Sequence, residues 1–283
     1  MSFTSLARRI AVCHAADLAA FVPWHAAGVV VGRVHRDRVP VLAGQPELAH
    51  GAAGLELPGD DFADRSARMA ALVAALAAAG AVRQPLGELY PVTPLAGGEA
   101  LLAVDRCAVP WFGVHARGVH LNGFVRTAAG LSLWVARRAR DKRTFPGHLD
   151  NLVAGGQSLG FDARTTLRKE CHEEAGLPAA LADGAVAVGT LHYTQQLDHD
   201  LKVDALQLFD LELPASFTPV PVDGEVEAFE LWPLPQVAAS LAGPAIWKPN
   251  CALVAIHFLL RHDPATVGGP DECARLWALL QGA

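Results

Sequence analysis

The spacing of apolar residues predicts strands and helices that alternate along the second part of the chain. Short apolar runs predict strands, and apolar positions three or four residues apart predict helices. Strands are expected at 119–125, 131–137, 185–193, 203–213 and 226–232, and helices at 163–175, 251–261 and 272–280. Strands mixed with helices indicate an α/β or α+β domain built in layers.

The first part of the chain predicts a smaller α+β unit. It contains a helix-like stretch at 5–20, a strand at 28–34 and a long helix at 61–79 that ends at Gly80. We therefore expect two domains, residues 1–117 and 118–283. No catalytic constellation stands out in the first unit. Its scattered histidines are not expected to bind a ligand: His14, His25, His35 and His50.

Composition excludes several classes of protein. Hydrophobic residues make up 52% and charged residues 18%, which excludes an intrinsically disordered chain. The net charge of −6 provides no overall basic field for nucleic acid. The five cysteines form no CxxC pair, so a zinc knuckle and a disulfide scaffold are disfavoured and a reducing compartment is expected.

The same reasoning predicts a cytoplasmic protein that acts on a small molecule. The first 20 residues lack the apolar core of a secretory signal. The longest apolar run, 70–82, is shorter than the roughly 20 residues of a membrane span. We therefore expect neither a membrane nor a nucleic acid as partner, and the oligomeric state stays open.

The most informative segment is an acidic helix. Asp162 is a suitable N-cap and Gly176 a suitable residue just beyond the C-terminus. Glu170, Glu173 and Glu174 are spaced i, i+3, i+4, so the three carboxylates share one face and repel each other. A hard cation such as Mg²⁺, which takes oxygen ligands, would relieve that repulsion. The alternative is a solvated acidic face.

Two further features of this helix concern its neighbours. Leu167 and Cys171 form an adjoining apolar stripe that is expected to fix the helix to a sheet. Lys169 precedes Glu173 by four residues and is expected to pair with it.

The segment 155–177 resembles the Nudix box, Gly-x5-Glu-x7-Arg-Glu-U-x-Glu-Glu-x-Gly-U, where U is a bulky apolar residue. The matching residues are Gly155, Glu170, Glu173, Glu174, Gly176 and Leu177, with Cys171 at the first U. Two positions depart from the pattern. Phe161 replaces the first Glu, which leaves the number of metals open, and Lys169 replaces the Arg.

The resemblance implies an α/β/α sandwich around a mixed sheet, with the acidic helix over a Mg²⁺ site that also accepts Mn²⁺. It implies hydrolysis of a diphosphate bond in a nucleoside-diphosphate-like small molecule, with release of monophosphate products. Glu173 and Glu174 would be metal ligands and Glu170 a ligand or a general base. The backbone of Gly155 would approach the metal, and Gly155 and Gly156 would approach the diphosphate.

Residues outside the box supply further candidates. Arg138 and Lys142 resemble the diphosphate-grasping loop of isopentenyl diphosphate isomerases, which share the Nudix fold, so they are expected to bind substrate. An allylic diphosphate isomerase itself is disfavoured, because residues 149–156 contain no cysteine. Nudix enzymes often place another acid downstream of the box as a general base or metal ligand, and Glu225 is the candidate for this catalytic role. A plain surface acid is the alternative reading of Glu225.

Nearly the whole chain is similar to one Nudix subgroup with an N-terminal domain of unassigned chemistry. The resemblance rests on the segments 21–24, 133–138, 149–156, 223–227 and 247–250. Some members hydrolyse thiamine diphosphate, so a thiamine-diphosphate-like substrate is implied. Its heterocycle would lie in a cleft toward the N-terminal unit, walled by Phe21, Trp24 and Trp111. Phe161 and the extra unit leave a non-catalytic ligand sensor as the alternative function. Asn250 is expected to cap the helix that follows it.

Overall fold

The N-terminal part of the molecule contains a four-stranded sheet, a two-stranded ribbon and a long helix. The computed structural model describes residues 3–51 and 54–282. The elements are α1 (Phe3–Cys13), β1 (Phe21–Ala26), β2 (Val29–His35), α2 (Val39–Leu42), β3 (Ala49–Gly51), β4 (Gly54–Leu57), α3 (Phe62–Ala78), β5 (Leu89–Val92) and β6 (Leu102–Asp105). The sheet order is β2-β1-β4-β3, and β5 pairs with β6.

The predicted helix at 61–79 is confirmed by α3. The Asp61 side chain accepts a hydrogen bond from the Asp64 N–H, and Gly80 adopts a φ of 72° just beyond the helix. The helix predicted at 5–20 is wrong in its length, because α1 ends at Cys13. Asp17 then caps a separate short turn by accepting from the Ala19 N–H, which favours the break over a continuous helix.

The C-terminal part forms a large mixed sheet between helices. Its elements are β7 (His115–Thr127), β8 (Gly130–Arg138), β9 (Leu149–Asp150), β10 (Val153–Gly156), α4 (Ala163–Ala175), α5 (Ala179–Ala182), β11 (Val186–Leu197), β12 (Asp200–Glu212), β13 (Val226–Pro233), α6 (Leu234–Ala242), α7 (Pro249–His262), α8 (Pro264–Val267) and α9 (Pro270–Leu280). The strand order is β11-β12-β7-β8-β13, and β12 runs parallel to β7 while the other pairs are antiparallel.

A gap between β7 and β8 creates the framework of the candidate site. These two strands pair only next to their connecting turn. Farther from the turn, β9 pairs with β8 and β10 pairs with β7. The short segment Asn151-Leu152 crosses from one strand to the other. Asp150 and Gly155, at the two sides of the crossing, therefore face a common region.

The helices cover both faces of this sheet, so the fold is the expected α/β/α sandwich. On one face, Leu167 and Cys171 of α4 are fully buried against a cluster that includes Leu121 and Phe209. On the other face lies α7, every residue of which is buried from Asn250 to Leu260. The N-terminal helix α1 packs against α7 and α9, so the first residues of the chain contribute to this layer. The boundary at 117/118 stays a prediction.

Within residues 3–51 and 54–282, none of the helices has the length and apolar character needed to cross a membrane.

Two buried histidines in the C-terminal part have depressed pKa values. Burial, reinforced by the Lys248 ammonium, lowers the pKa of His120 to about 4. Burial and the Arg261 guanidinium do the same for His257, whose pKa is also about 4. An unfolded histidine takes up its proton near pH 6.5. Between pH 6.5 and 4 the unfolded chain therefore binds more protons at these positions, and these histidines make stability fall as the pH drops.

We expect each histidine to lower the free energy of unfolding by about 2 kcal/mol between pH 7 and pH 5. Urea unfolding at the two pH values measures this effect. The substitution His257→Gln should remove its share of the decrease, whereas His50→Gln, at an exposed position, should not. If the free energy of unfolding depends on pH in the same way in His257→Gln and in the unaltered protein, His257 does not cause the decrease.

Candidate active site

The acidic helix α4 has the predicted bounds and caps. Its N-cap residue Asp162 accepts a hydrogen bond of 2.7 Å from the Thr165 N–H, and Gly176 ends it with a φ of 61°. Because Leu167 and Cys171 are buried, the rotation of the helix about its axis is fixed. The carboxylates therefore face the region between β9 and β10.

Glu174 is the most buried of these acids. Only 8% of the residue is exposed, and the Ala154 N–H donates a hydrogen bond of 2.9 Å to its Oε2. Burial, together with the negative charges of Asp150, Glu170 and Glu225, raises the pKa of Glu174 well above its ordinary value. A carboxylate that is buried near other negative charges either takes up a proton or is stabilised by a nearby cation.

Glu170 lies against the glycine pair of β10. A Cβ added to Gly155 would overlap the Cγ and Cδ of Glu170, so only glycine fits under this side chain. Burial raises the pKa of Glu170, and the adjacent Lys169 ammonium opposes the shift. Glu173 is more exposed. Its Oε2 lies 2.6 Å from the Lys169 Nζ, an ion pair that the spacing predicted.

Gly156 is required for a different contact, with the N-terminal unit. A Cβ at this position would overlap the hydroxyl of Tyr90, a residue of β5. The contact between the units continues next to it, because the Ser158 hydroxyl donates to Glu88 at 2.8 Å and the Leu159 N–H donates to the Leu89 carbonyl at 2.7 Å. The glycine pair is therefore enclosed by α4 on one side and by β5 on the other.

Glu225 and Lys142 lie at the open side of the site. The Lys142 Nζ is 2.6 Å from Glu225 Oε2. Burial alone would raise the pKa of Glu225, but Lys142, with Arg106 and Arg138 beyond it, holds this pKa below its ordinary value. The charge of Glu225 acts on both Glu170 and Glu174, so the sequence candidate downstream of the box belongs to the same cluster.

Arg138 is held by a partner that the sequence did not single out. Its Nη1–H donates to Asp150 Oδ2 at 2.9 Å and its Nη2–H donates to the Thr144 carbonyl at 3.1 Å. Within the described part of the chain, its buried Nε–H has no hydrogen-bond partner. Lys248 lies 3.6 Å from the same Asp150 carboxylate. Against the effect of burial, Lys248 and Arg138 lower the pKa of Asp150 to about 2.

The buried group around Asp150 is not suited to a metal ion, although His120 and Cys251 stand close to it. The Cys251 thiol donates to Asp150 Oδ1 at 2.7 Å, and burial, with the Asp150 charge, raises the thiol pKa well above its ordinary value. A protonated thiol is a poor metal ligand, and Lys248 and Arg138 already neutralise the carboxylate. Asp150 is better understood as an anchor for Arg138.

Two sequence interpretations are wrong. Asn250 is not a helix cap, because α7 begins at Pro249 and Asn250 is buried inside its first turn. Trp24 and Trp111 do not wall an open cleft, because their indoles lie in the N-terminal core and donate to the carbonyls of Phe112 and Ala81. Phe21 is likewise buried, with 3% of the residue exposed.

The pairs formed by Asp150 and by Tyr90 were missed because only the fold brings them together. The Leu149-Asp150-Asn151-Leu152 sequence does contain a signal, since charged and amide residues inside a buried apolar segment require polar partners. No local pattern marks Tyr90, which is separated from Gly156 along the chain and belongs to another sheet.

The chain is similar to several known proteins. Residues 2–116 match a family model described as a domain of unknown function, DUF4743. Two relatives come from Arabidopsis thaliana: Nudix hydrolase 20, chloroplastic, is 37% identical over 92% of this chain and 73% of its own length, and Nudix hydrolase 24, chloroplastic, is 36% identical over the same shares. A crystal structure from Deinococcus radiodurans covers 59% of this chain and 97% of its own, at 23% identity and a TM-score of 0.46.

The two plant relatives are each similar to 92% of this chain, which takes in both of its parts. The chain therefore belongs to the Nudix hydrolase family and is a Nudix-type hydrolase.

Proposed function

We propose that this protein is a Mg²⁺-dependent hydrolase that breaks the diphosphate bond of a small molecule and releases monophosphate products. The observation that carries the proposal is the buried carboxylate of Glu174. It is close to the charges of Asp150, Glu170 and Glu225, and two of these acids are paired with the cations Arg138 and Lys142. Carboxylates for a hard cation and cations for a phosphate are thus combined in one place.

The residues of α4 fit a divalent cation. Glu173 and Glu174 would be its ligands, with Glu170 and the backbone of Gly155 beside them. The raised pKa values of Glu170 and Glu174 support this assignment, because a cation would favour their charged forms. When bound, Mg²⁺ would neutralise phosphate charge and make a water molecule more acidic. Mn²⁺ would substitute for it.

The two carboxylates outside the ligand pair have different environments. Burial raises the pKa of Glu170, which suits a group that accepts a proton from the attacking water. Lys142 makes Glu225 less basic, so Glu225 suits the role of holding Lys142 in position until substrate arrives. Lys169 contacts both Glu170 and Glu173, and its positive charge offsets the repulsion between these two carboxylates.

Arg138 and Lys142 would bind the diphosphate. Arg138 is positioned by Asp150, and its buried Nε–H, which has no partner among the described residues, would donate to a phosphate oxygen. The backbone of Gly155 and Gly156 would approach the diphosphate, with Glu170 and Tyr90 packed over these two glycines. When substrate binds, Lys142 would leave Glu225 and pair with a phosphate group instead.

The substitution Lys142→Ala should weaken substrate and product analogues alike, by about 1.5–3 kcal/mol, the contribution of a hydrogen bond to a charged group. Since ground and transition states share this contact, KM should rise more than kcat falls. Steady-state kinetics measures both constants. Arg140→Ala is the matched control, because Arg140 lies in the same loop and its side chain is 82% exposed. Equal kinetics in the two variants would exclude Lys142 from the substrate site.

The proposed substrate is thiamine-diphosphate-like, and its support is the similarity of nearly the whole chain to the thiamine-diphosphate-hydrolysing subgroup. Because the indoles of Trp24 and Trp111 are buried, the heterocycle would instead approach the N-terminal unit at Arg106, whose side chain is half exposed. Comparison of kcat/KM for thiamine diphosphate, oxidised thiamine diphosphates, ADP-ribose and nucleoside diphosphates tests this choice. If thiamine compounds react no faster than the others, the substrate assignment fails while the metal site is unaffected.

A non-catalytic ligand sensor is the second candidate function. It is favoured by Phe161, a 41% exposed side chain at the box position that carries a Glu in the family pattern. A sensor would bind a diphosphate without converting it at any divalent metal. The isomerase alternative gains no support from Cys251, whose thiol is buried and bonded to Asp150. A cytoplasmic location and a division at 117/118 remain part of the proposal.

A further inference from the structure

Arg106 of the N-terminal unit lies next to the candidate active site. It directly follows β6, and its backbone N–H donates to the Glu88 carbonyl at 2.8 Å. The Arg106 Nη1–H donates to Glu88 Oε2 at 2.7 Å, and the other oxygen of this carboxylate accepts from the Ser158 hydroxyl at 2.8 Å. Two hydrogen bonds therefore connect the guanidinium to the segment that follows the glycine pair of β10.

The charge of Arg106 also acts on the open side of the site. Burial would raise the pKa of Glu225, and after Lys142 the Arg106 guanidinium is the next cation that lowers it. Burial opposes the reciprocal shift, but Tyr90, Glu88 and Glu225 raise the pKa of Arg106 above its ordinary value. Arg106 is therefore charged and within electrostatic reach of the Lys142–Glu225 pair.

The backbone that carries Arg106 is held in place by a buried carboxylate. Asp105 accepts hydrogen bonds from the N–H groups of Leu86, Gly87 and Cys107, at 3.0, 2.8 and 2.9 Å. Burial would raise the pKa of Asp105, but these donors hold it below its ordinary value. The turn before β5 and the turn after β6 are thus joined, so the guanidinium projects from a fixed support.

The guanidinium of Arg106 has more donors than the fold uses. Among the described residues its hydrogen bond to Glu88 is the only one, and 51% of the side chain is exposed. The Nε–H and the Nη2–H, which have no partner within that part of the chain, would donate to a bound molecule. Since Arg138 and Lys142 would hold the diphosphate, Arg106 would meet the group attached to it.

We propose that Arg106 is a specificity-determining residue of the active site and selects diphosphates whose attached group carries an oxygen acceptor. A guanidinium donates hydrogen bonds and accepts none, so an acceptor oxygen is the complementary chemistry. A site that offers such donors discriminates against an analogue that lacks the acceptor. This inference rests on the proposed hydrolase function, and it gives the N-terminal unit a role in the choice of substrate.

Thiamine diphosphate and its 2-oxo form test the proposal. The thiazolium ring of the first is a cation without an oxygen at this carbon, whereas the ring of the second is neutral and carries a carbonyl oxygen. For the 2-oxo form, Arg106→Met should lower kcat/KM at least about 10-fold, the contribution of one hydrogen bond from a charged donor. For thiamine diphosphate, kcat/KM should not fall.

Arg68→Met is the matched control and should leave both values of kcat/KM unchanged. Arg68 lies in the same unit, its side chain is 42% exposed, and it also pairs with a carboxylate, that of Asp64. Melting temperatures show whether the variants are folded. If the Arg106–Glu88 pair only joins the two units, Arg106→Met lowers kcat/KM for both compounds by the same factor, and that result would overturn the proposal. Unchanged kcat/KM for the 2-oxo form would overturn it as well.

Binding measurements separate this inference from the hydrolase function. If the unaltered protein converts neither compound, the hydrolase function fails, and calorimetric titration of both compounds then tests Arg106 by itself. The 2-oxo form should bind at least about 10-fold more weakly to Arg106→Met than to the unaltered protein, whereas thiamine diphosphate should bind equally well to both. Equal affinity of the 2-oxo form for the two proteins, or no binding of either compound, would overturn the selection by Arg106.

Discussion

Replacement of Glu174 by Gln should lower kcat at least about 10²-fold. Losses of this size are typical when a group that stabilises the charge of a transition state is removed. The side chain keeps its volume, and a Gln oxygen can still accept the hydrogen bond from the Ala154 N–H. What is lost is the negative charge at the centre of the proposed metal site. Because that charge is buried near Asp150, Glu170 and Glu225, its removal should not lower the free energy of unfolding.

Steady-state turnover and urea unfolding of Glu174→Gln measure the two expectations together. Glu212→Gln is the matched control, because Glu212 is a surface acid paired with Arg126. Unchanged turnover in Glu174→Gln would rule out a catalytic metal on this carboxylate. If Glu174→Gln loses turnover because it is unfolded, Glu174 has a structural role instead.

Replacement of Asp150 by Asn should destabilise the fold by about 3–5 kcal/mol, the range for breaking a buried ion pair by removing one partner. Asn retains the shape of the side chain but leaves Arg138 and Lys248 without their common counter-ion. The effect should also reach the substrate site, because Arg138 would lose the contact that positions it. KM should therefore rise in conditions where the variant is folded.

The surface pair of Arg168 and Asp183 provides the comparison, since both side chains are about half exposed. Asp183→Asn should cost at most about 1 kcal/mol. The double variant Asp150→Asn, Lys248→Met should recover part of the lost stability, because it removes one of the two unpaired cations. A loss for Asp150→Asn as small as that for Asp183→Asn would show that the buried pair does not stabilise the fold.

The residues of α4 could be predicted in detail because their signals are local. Asp162 and Gly176 fix its ends, and the spacing of Glu170, Glu173 and Glu174 fixes the face that they share. The positions of five strands after residue 118 could be predicted from apolar runs and turn residues, whereas β9, β10 and the order of the strands in the sheet were not predicted. The family resemblance supplied the sandwich. The pairing of Lys169 with Glu173 followed from a spacing of four residues on a helix.

Contacts between distant segments could not be predicted in this way. Lys142 was recognised as a cation, but its partner Glu225 depends on how the loop after β8 lies against the start of β13. Asp150 and Lys248 meet only because the segment before α7 lies against β9, where the Lys248 N–H donates to the Leu149 carbonyl. Trp24 and Trp111 looked like pocket walls because aromatic residues serve both cores and binding sites, and burial alone distinguishes the two.

We propose above that the protein hydrolyses a diphosphate in a reaction that requires a divalent cation. The most direct test follows thiamine diphosphate and ADP-ribose by phosphorus NMR with the unaltered protein, with Mg²⁺ and with a chelator. We expect conversion of at least one of these compounds to a monophosphate in the presence of Mg²⁺, at rates in the ordinary enzyme range of about 1–10³ s⁻¹, and none with the chelator. Tight binding of both diphosphates without conversion at any divalent metal would contradict cation-dependent hydrolysis and would favour the ligand sensor.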